Sequence, residues 1–319
     1  MSLSDTAALS ASPPRSARWE FGGHLYGLEP LALPPTRLPR PVGHAPGPLP
    51  ERLVPHPPGR AVDGLPPTSE SEVERLFWFR WITGHQTTFI LWQLLAAVLD
   101  EARRPGADPD ALARGARALV RGYSLMLLYS GSPPRPLYER VIRGPIARMH
   151  PNLSGSWARD YAGVRPLIRG KTRLGGEREA AALAAECELN ERVHRGIAAR
   201  LVPSGVSLLL DGEVRRGERP LGRDTLRWLY DGIFLTTRAA VSHEAVTGQL
   251  LRRLHAILLD LSANGLHPAC APSAEQEPPD LLGDDVLALT AAFPETLLGL
   301  AAIAGPPGAG QPLAGASPR

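Results

Sequence analysis

The run from Phe77 to Leu95 gathers three of the chain's six tryptophans and three of its six phenylalanines around one histidine, His85. A stretch this long and this apolar reads as a single helix buried on most of its surface. On that helix Trp78, Trp81, Phe89 and Trp92 stand one or two turns from His85, so one face is an aromatic wall interrupted by an imidazole. Such a wall suits a flat, apolar ligand with chemistry at its centre. Arg80, His85, Gln86 and Gln93 would each be costly in hydrocarbon, which favours the central helix of a soluble bundle over a membrane span.

With 319 residues and 43% hydrophobic content, the chain can bury one substantial core or two smaller ones. Its basic groups are almost all arginine, Lys171 being the single lysine, and the net charge is only +3 with no block of like charges. Nucleic-acid binding therefore has little support. Cys187 and Cys270 have neither the paired spacing of a zinc site nor the number of a disulfide scaffold, and no signal-peptide pattern opens the chain. A cytoplasmic location is the expectation. Homo-oligomerisation stays open.

The pattern predicts an all-α protein in three parts. Residues 1–68 form a proline-rich arm, with Pro34-Pro35, Pro57-Pro58 and Pro66-Pro67, expected to run extended over the surface or stay mobile, while Trp19, Phe21 and Tyr26 could dock locally. Residues 69–304 form the helical domain, and 305–319 a disordered tail. Hydroxyl caps and acids at Thr68–Glu72 start the helix of His85, and Pro105-Gly106 ends it. Further helices are predicted from Asp108-Pro109 to about Tyr129, Pro136 to about Met149, Glu177 to about Leu201, Asp224 to about Ser262 with a bend near His243 or Gly248, and Asp284 to Leu300. A loop carries Trp157, Tyr161 and Pro166, and one short strand is conceivable at Val206–Leu210.

Within the helix from Glu177, the residues Leu183, Cys187, Asn190, His194, Ile197 and Leu201 share one face, so His194 projects from an apolar stripe. Such a histidine is either a packed core residue or a ligand to something held in the core. Zinc and di-iron patterns are missing: there is no His-Glu-x-x-His and no recurring Glu-x-x-His. Haem needs only one axial imidazole, and a second histidine opposite it can act as acid or base. His255 is a second choice for that axial position, and the His267–Cys270 segment reads as a turn with an incidental cysteine. Arg121, embedded among apolar residues, is either a two-pronged carboxylate clamp or half of an interhelical ion pair.

The string Ile82-Thr83-Gly84-His85-Gln86 followed by Leu91-Trp92 resembles the histidine segment of tryptophan 2,3-dioxygenases, with one glycine inserted before the histidine. The segments Leu127–Ser130, Tyr138–Arg143, His150–Tyr161 and Asn190–Pro203 are more similar to the bacterial haem-dependent L-tyrosine hydroxylases of the same haem-dependent aromatic oxygenase superfamily. The resemblance takes in roughly residues 70–260 and leaves the proline-rich arm outside. It implies a helical bundle enclosing a b-type haem, His194 as the proximal iron ligand, His85 as the distal acid–base group, and Trp81 and Phe89 packed at the cofactor. It further implies that Arg121 holds a substrate carboxylate and that Ser154 and Trp157 line or cover the pocket. The implied reaction is hydroxylation of L-tyrosine to L-DOPA with hydrogen peroxide or dioxygen, in secondary metabolism. Rival expectations are oxidation of another amino acid, such as N-oxygenation of lysine, and a haem sensor without turnover.

Overall fold

The computed structural model describes residues 20–21, 24–25, 28–40, 70–149, 155–202, 222–268 and 277–304. Its centre is α1 (Glu70–Glu101), whose residues from Ile82 to Leu95 are buried on every side except at His85. Antiparallel to the eye of the sequence, because only a short turn joins them, α2 (Pro109–Ser130) lies against α1. Its start is set locally: Asp108 accepts from the backbone N–H groups of Asp110 and Ala111, and Pro109 occupies the first turn. The other long helices are α6 (Glu177–Leu201), packed on α2, and α8 (His243–Asn264), packed on α1.

The predicted third helix is α3 (Arg135–Leu137), a π-helical segment (Tyr138–Arg143) and α4 (Gly144–Met149) in one continuous run. Two expectations are corrected here by local structure. The predicted loop after it contains a 3-10 turn (Gly155–Trp157) and α5 (Tyr161–Ile168). The last predicted helix is two, α9 (Asp284–Ala291) and α10 (Phe293–Ala304), which meet at 64°. Among the described residues, no single helix is long and apolar enough to cross a membrane.

A larger correction concerns the predicted helix over 224–262. It is α7 (Arg223–Ile233), then β4 (Thr236–Arg238), then α8. Strand β4 pairs in parallel with β3 (Leu31–Leu33) of the proline-rich arm, and two residue pairs further up the arm β1 (Glu20–Phe21) and β2 (His24–Leu25) form an antiparallel hairpin. Between residues 28 and 40 the arm does not simply run over the surface: Leu31 and Leu33 are fully buried and Leu38 nearly so, while residues 35–37, 39 and 40 are exposed. Proline barred helix there, but an extended strand with alternating leucines supplied the core instead. The arm's Trp19 and Tyr26, the conceivable strand at Val206–Leu210 and the tail from 305 lie outside the described residues.

Candidate functional site

The wall expected around His85 forms, and more elements build it than α1 alone. Trp81 meets the imidazole at 4.1 Å between ring centroids, and Phe89 approaches it edge-on at 6.4 Å. Phe234, just after α7, stacks on the imidazole at 4.6 Å with an interplanar angle of 17°. Phe89 also touches Trp92, Tyr230 and Phe234. Trp92 in turn meets Tyr123 of α2 at 5.2 Å and Tyr161 of α5 at 5.0 Å, while Tyr138 of the π-helical segment reaches Trp81. Phe234, Tyr230, Tyr123, Tyr138 and Tyr161 have no mark in the sequence that joins them to His85; only Tyr230 and Phe234, one turn apart, carry a local hint.

His85 Nδ1 lies 2.7 Å from the carbonyl oxygen of Trp81. A carbonyl only accepts, so Nδ1 carries the hydrogen and, in the neutral ring, Nε2 keeps its lone pair for another partner. Desolvation lowers the imidazole pKa from 6.5 to about 4, against a small opposing effect of the Trp81 bond. The ring is therefore neutral at ordinary pH, with a basic nitrogen to offer. Beside it, the indole N–H groups of Trp81 and Trp92 are buried without a hydrogen-bond partner among the described residues.

His194 occupies the one open position on its stripe. Leu183, Cys187, Asn190 and Leu201 are buried and Ile197 is half-buried, whereas His194 is exposed. Asn190 is fixed by donating to Ser124 Oγ at 3.0 Å, which pins this turn of α6 against α2. Although open, His194 has enough protein around it that desolvation lowers its pKa, helped by the positive charge of Arg169. Exposure together with desolvation describes a side chain in a cleft. The same Arg169 charge acts on the Tyr123 phenol, whose pKa burial raises, and Tyr123 acts on Tyr230. No ring contact or hydrogen bond among the described residues joins His194 to the rings around His85; what they share is the charge of Arg169, which acts on both His194 and Tyr123.

Arg121 is not brought to this wall. It stands two residues, or about 200° of helix, from Tyr123. Its guanidinium lies 3.4 Å from Glu186 of α6 in a groove of about 740 Å³ that also includes Arg114, Arg117 and Arg192 and shares no residue with the aromatic cluster. Burial raises the Glu186 pKa, with Arg121 opposing the rise. The interhelical ion pair, one of the two readings open in the sequence, is what the geometry contains. Trp157 ends the 3-10 turn, half-buried against the core, and Ser154 lies outside the described residues.

The described side chains are of the kinds that hold a haem. An exposed imidazole with no hydrogen bond among the described residues, a neutral imidazole with a free nitrogen on another helix, and rings with unpaired indole N–H groups are what an axial ligand, a distal group and a macrocycle's surroundings require.

Fold and site thus define a mostly helical protein with an aromatic-walled imidazole centre. Residues 2–188, more than half of the chain, match the SfmD 3-methyl-L-tyrosine peroxygenase family, and the chain belongs to that family. A 3-methyl-L-tyrosine peroxygenase of Streptomyces lavendulae is 34% identical over 141 residues, an alignment that takes in 39% of this chain and 37% of the Streptomyces protein. The family match starts inside the proline-rich arm, includes His85, and ends before His194.

Proposed function

We propose that the protein is a haem-dependent oxidoreductase that uses hydrogen peroxide to hydroxylate the ring of a tyrosine-like amino acid, with L-tyrosine to L-DOPA as the specific reaction. The observation that carries this reading is His85, a neutral imidazole with a free Nε2 set in an aromatic wall. Membership of a family described by 3-methyl-L-tyrosine peroxygenase supports the tyrosine-like substrate and the peroxide. The balanced reaction is an aromatic C–H and hydrogen peroxide going to a phenolic C–OH and water.

His194 would hold haem b through its imidazole, and the haem when bound would supply cleavage of the peroxide O–O bond and delivery of one oxygen atom. His85 Nε2 takes a proton from the peroxide and returns it to the departing oxygen, which leaves as water. A pKa held near 4 keeps this nitrogen unprotonated and ready across neutral pH. Trp81, Phe89 and Phe234 give the phenol ring a surface to pack on and exclude water.

Incubating the purified protein with isotopically labelled hydrogen peroxide and, separately, L-tyrosine, 3-methyl-L-tyrosine, L-tryptophan and L-lysine tests the reading by mass spectrometry. One labelled oxygen on the ring of a tyrosine is expected. Product from lysine alone, or none from any of the four, would contradict it.

A further inference from the structure

His85 is gripped through its neighbour in the chain. Gln86 is buried, and both ends of its side-chain amide are bonded. Gln86 Nε2 donates to the carbonyl oxygen of Phe234 at 2.7 Å, while its Oε1 accepts from Arg253 Nε at 3.0 Å. Arg253 is fully buried and reaches on to the N-terminal arm: it donates to the Glu29 backbone carbonyl at 2.9 Å and meets the Glu29 carboxylate at 3.2 Å. Two residues further, Leu31 N–H donates to the carbonyl of Leu235 at 2.9 Å. Leu235 itself sits at φ +45°, a conformation that costs a leucine on the order of 1 kcal/mol or more and persists only where its surroundings impose it. The arm and Gln86 thus hold both sides of the peptide that carries the Phe234 ring onto His85.

We propose that Glu29, Arg253 and Gln86 are positioning residues that clamp Phe234 against His85, so that docking of the N-terminal arm and formation of a working imidazole are one event. The chemical meaning given to His85 rests on the proposed function, but the clamp itself concerns only these side chains. Its physical consequence is dryness. Phe234 covers one face of the imidazole, Trp81 another and Phe89 an edge. Of the titratable groups on the elements packed around them, Tyr138 meets Trp81 and Tyr230 meets Phe234, while Arg80, Glu139, Arg140, Arg143, Asp224, Arg227 and Asp231 make no ring contact or hydrogen bond to His85 among the described residues. If Phe234 is released, water reaches the ring and the cost of protonating it falls.

The test follows hydrogen–deuterium exchange at the imidazole C2 position by peptide mass spectrometry across pH, in the full-length protein as purified. This reads the accessibility and titration of His85 and His194 separately, with no turnover involved. Gln86→Leu removes both amide bonds. Gln86→Glu keeps an acceptor for Arg253 but, ionised, has no hydrogen to give the Phe234 carbonyl. In both variants His85 exchange is expected to speed up several-fold and its titration midpoint to rise by about one unit or more, with His194 unchanged. Arg253→Leu should move His85 in the same direction, and Arg253→Lys should restore part of it. Tyr129→Phe, which deletes a buried hydrogen bond to Asp260 elsewhere in the core, serves as the comparison for plain loss of stability. An unchanged His85 exchange rate and titration in Gln86→Leu, which adds no charge, or an equal change in Tyr129→Phe, would overturn the clamp. Failure of the amino-acid panel with a normal clamp would instead count against the proposed chemistry alone.

Discussion

At the scale of single residues, the core is built around ions as well as rings. Arg80, fully buried on α1, donates twice to Asp260 of α8 and once each to the carbonyls of Gly265 and Leu266. It also lies 5.6 Å from the ring centroid of Phe77 and 5.5 Å from that of Tyr129, whose hydroxyl donates to the same carboxylate. Removing one partner strands the other, so Asp260→Ala should cost about 3–5 kcal/mol in urea unfolding, whereas Arg80→Met with Asp260→Leu should cost much less than the two single losses combined. His85 gives a pH signature. Its pKa is about 4 folded against 6.5 in the unfolded chain, so between those values acid protonates only the unfolded state. Its contribution is fully present above about pH 6.5 and is lost as pH falls toward 4, by roughly 3 kcal/mol. His85→Phe should flatten that limb of the stability curve; an unaltered limb would mean that the folded imidazole is not held neutral. His85 was legible in the sequence because a lone polar group inside an aromatic run has few places to go. Arg80 was legible only as a cost, since its partner lies 180 residues away.

At the scale of elements, close approach of α1 and α2 depends on the glycine before the histidine. A Cβ added at Gly84 would come within 2.9 Å of the Ser130 side chain and 3.4 Å of the Met126 carbonyl. Gly84→Ala should therefore lower stability by about 1–3 kcal/mol in denaturant titration, although alanine is the better helix former. A neutral or stabilising result would show that the two helices can separate without loss. Helices whose ends are set by local chemistry were readable: α2 begins where Asp108 caps it, and α6 spans Glu177–Leu201 as its stripe indicates. The stretch over 224–262 was not, because β4 exists through pairing with a strand about 200 residues earlier, and no local period records that partner. The π-helical turn at Tyr138–Arg143 was equally silent, yet it presents Tyr138 to Trp81 at the site.

At the scale of the molecule, the arm and the helical domain share one hydrophobic core. Leu31 and Leu33 belong to the same buried cluster as Phe89 and Phe234. Leu33→Ala should thus behave as a core truncation, costing about 2–5 kcal/mol and lowering the thermal midpoint of the whole domain in a single transition. A separate early transition, with the helices unaffected, would show the arm to be an independent appendage. The all-helical framework followed from composition and periodicity, whereas the route of the arm depends on long-range burial and the gathering of rings from five segments on tertiary packing. The proposal that His194 holds a haem served by His85 is tested most directly by the absorption spectrum of the protein expressed with ample iron and haem precursor. The account predicts a Soret band that persists in His85→Ala and is lost or displaced in His194→Ala. A colourless wild-type protein, or a spectrum unchanged by His194→Ala, would contradict it.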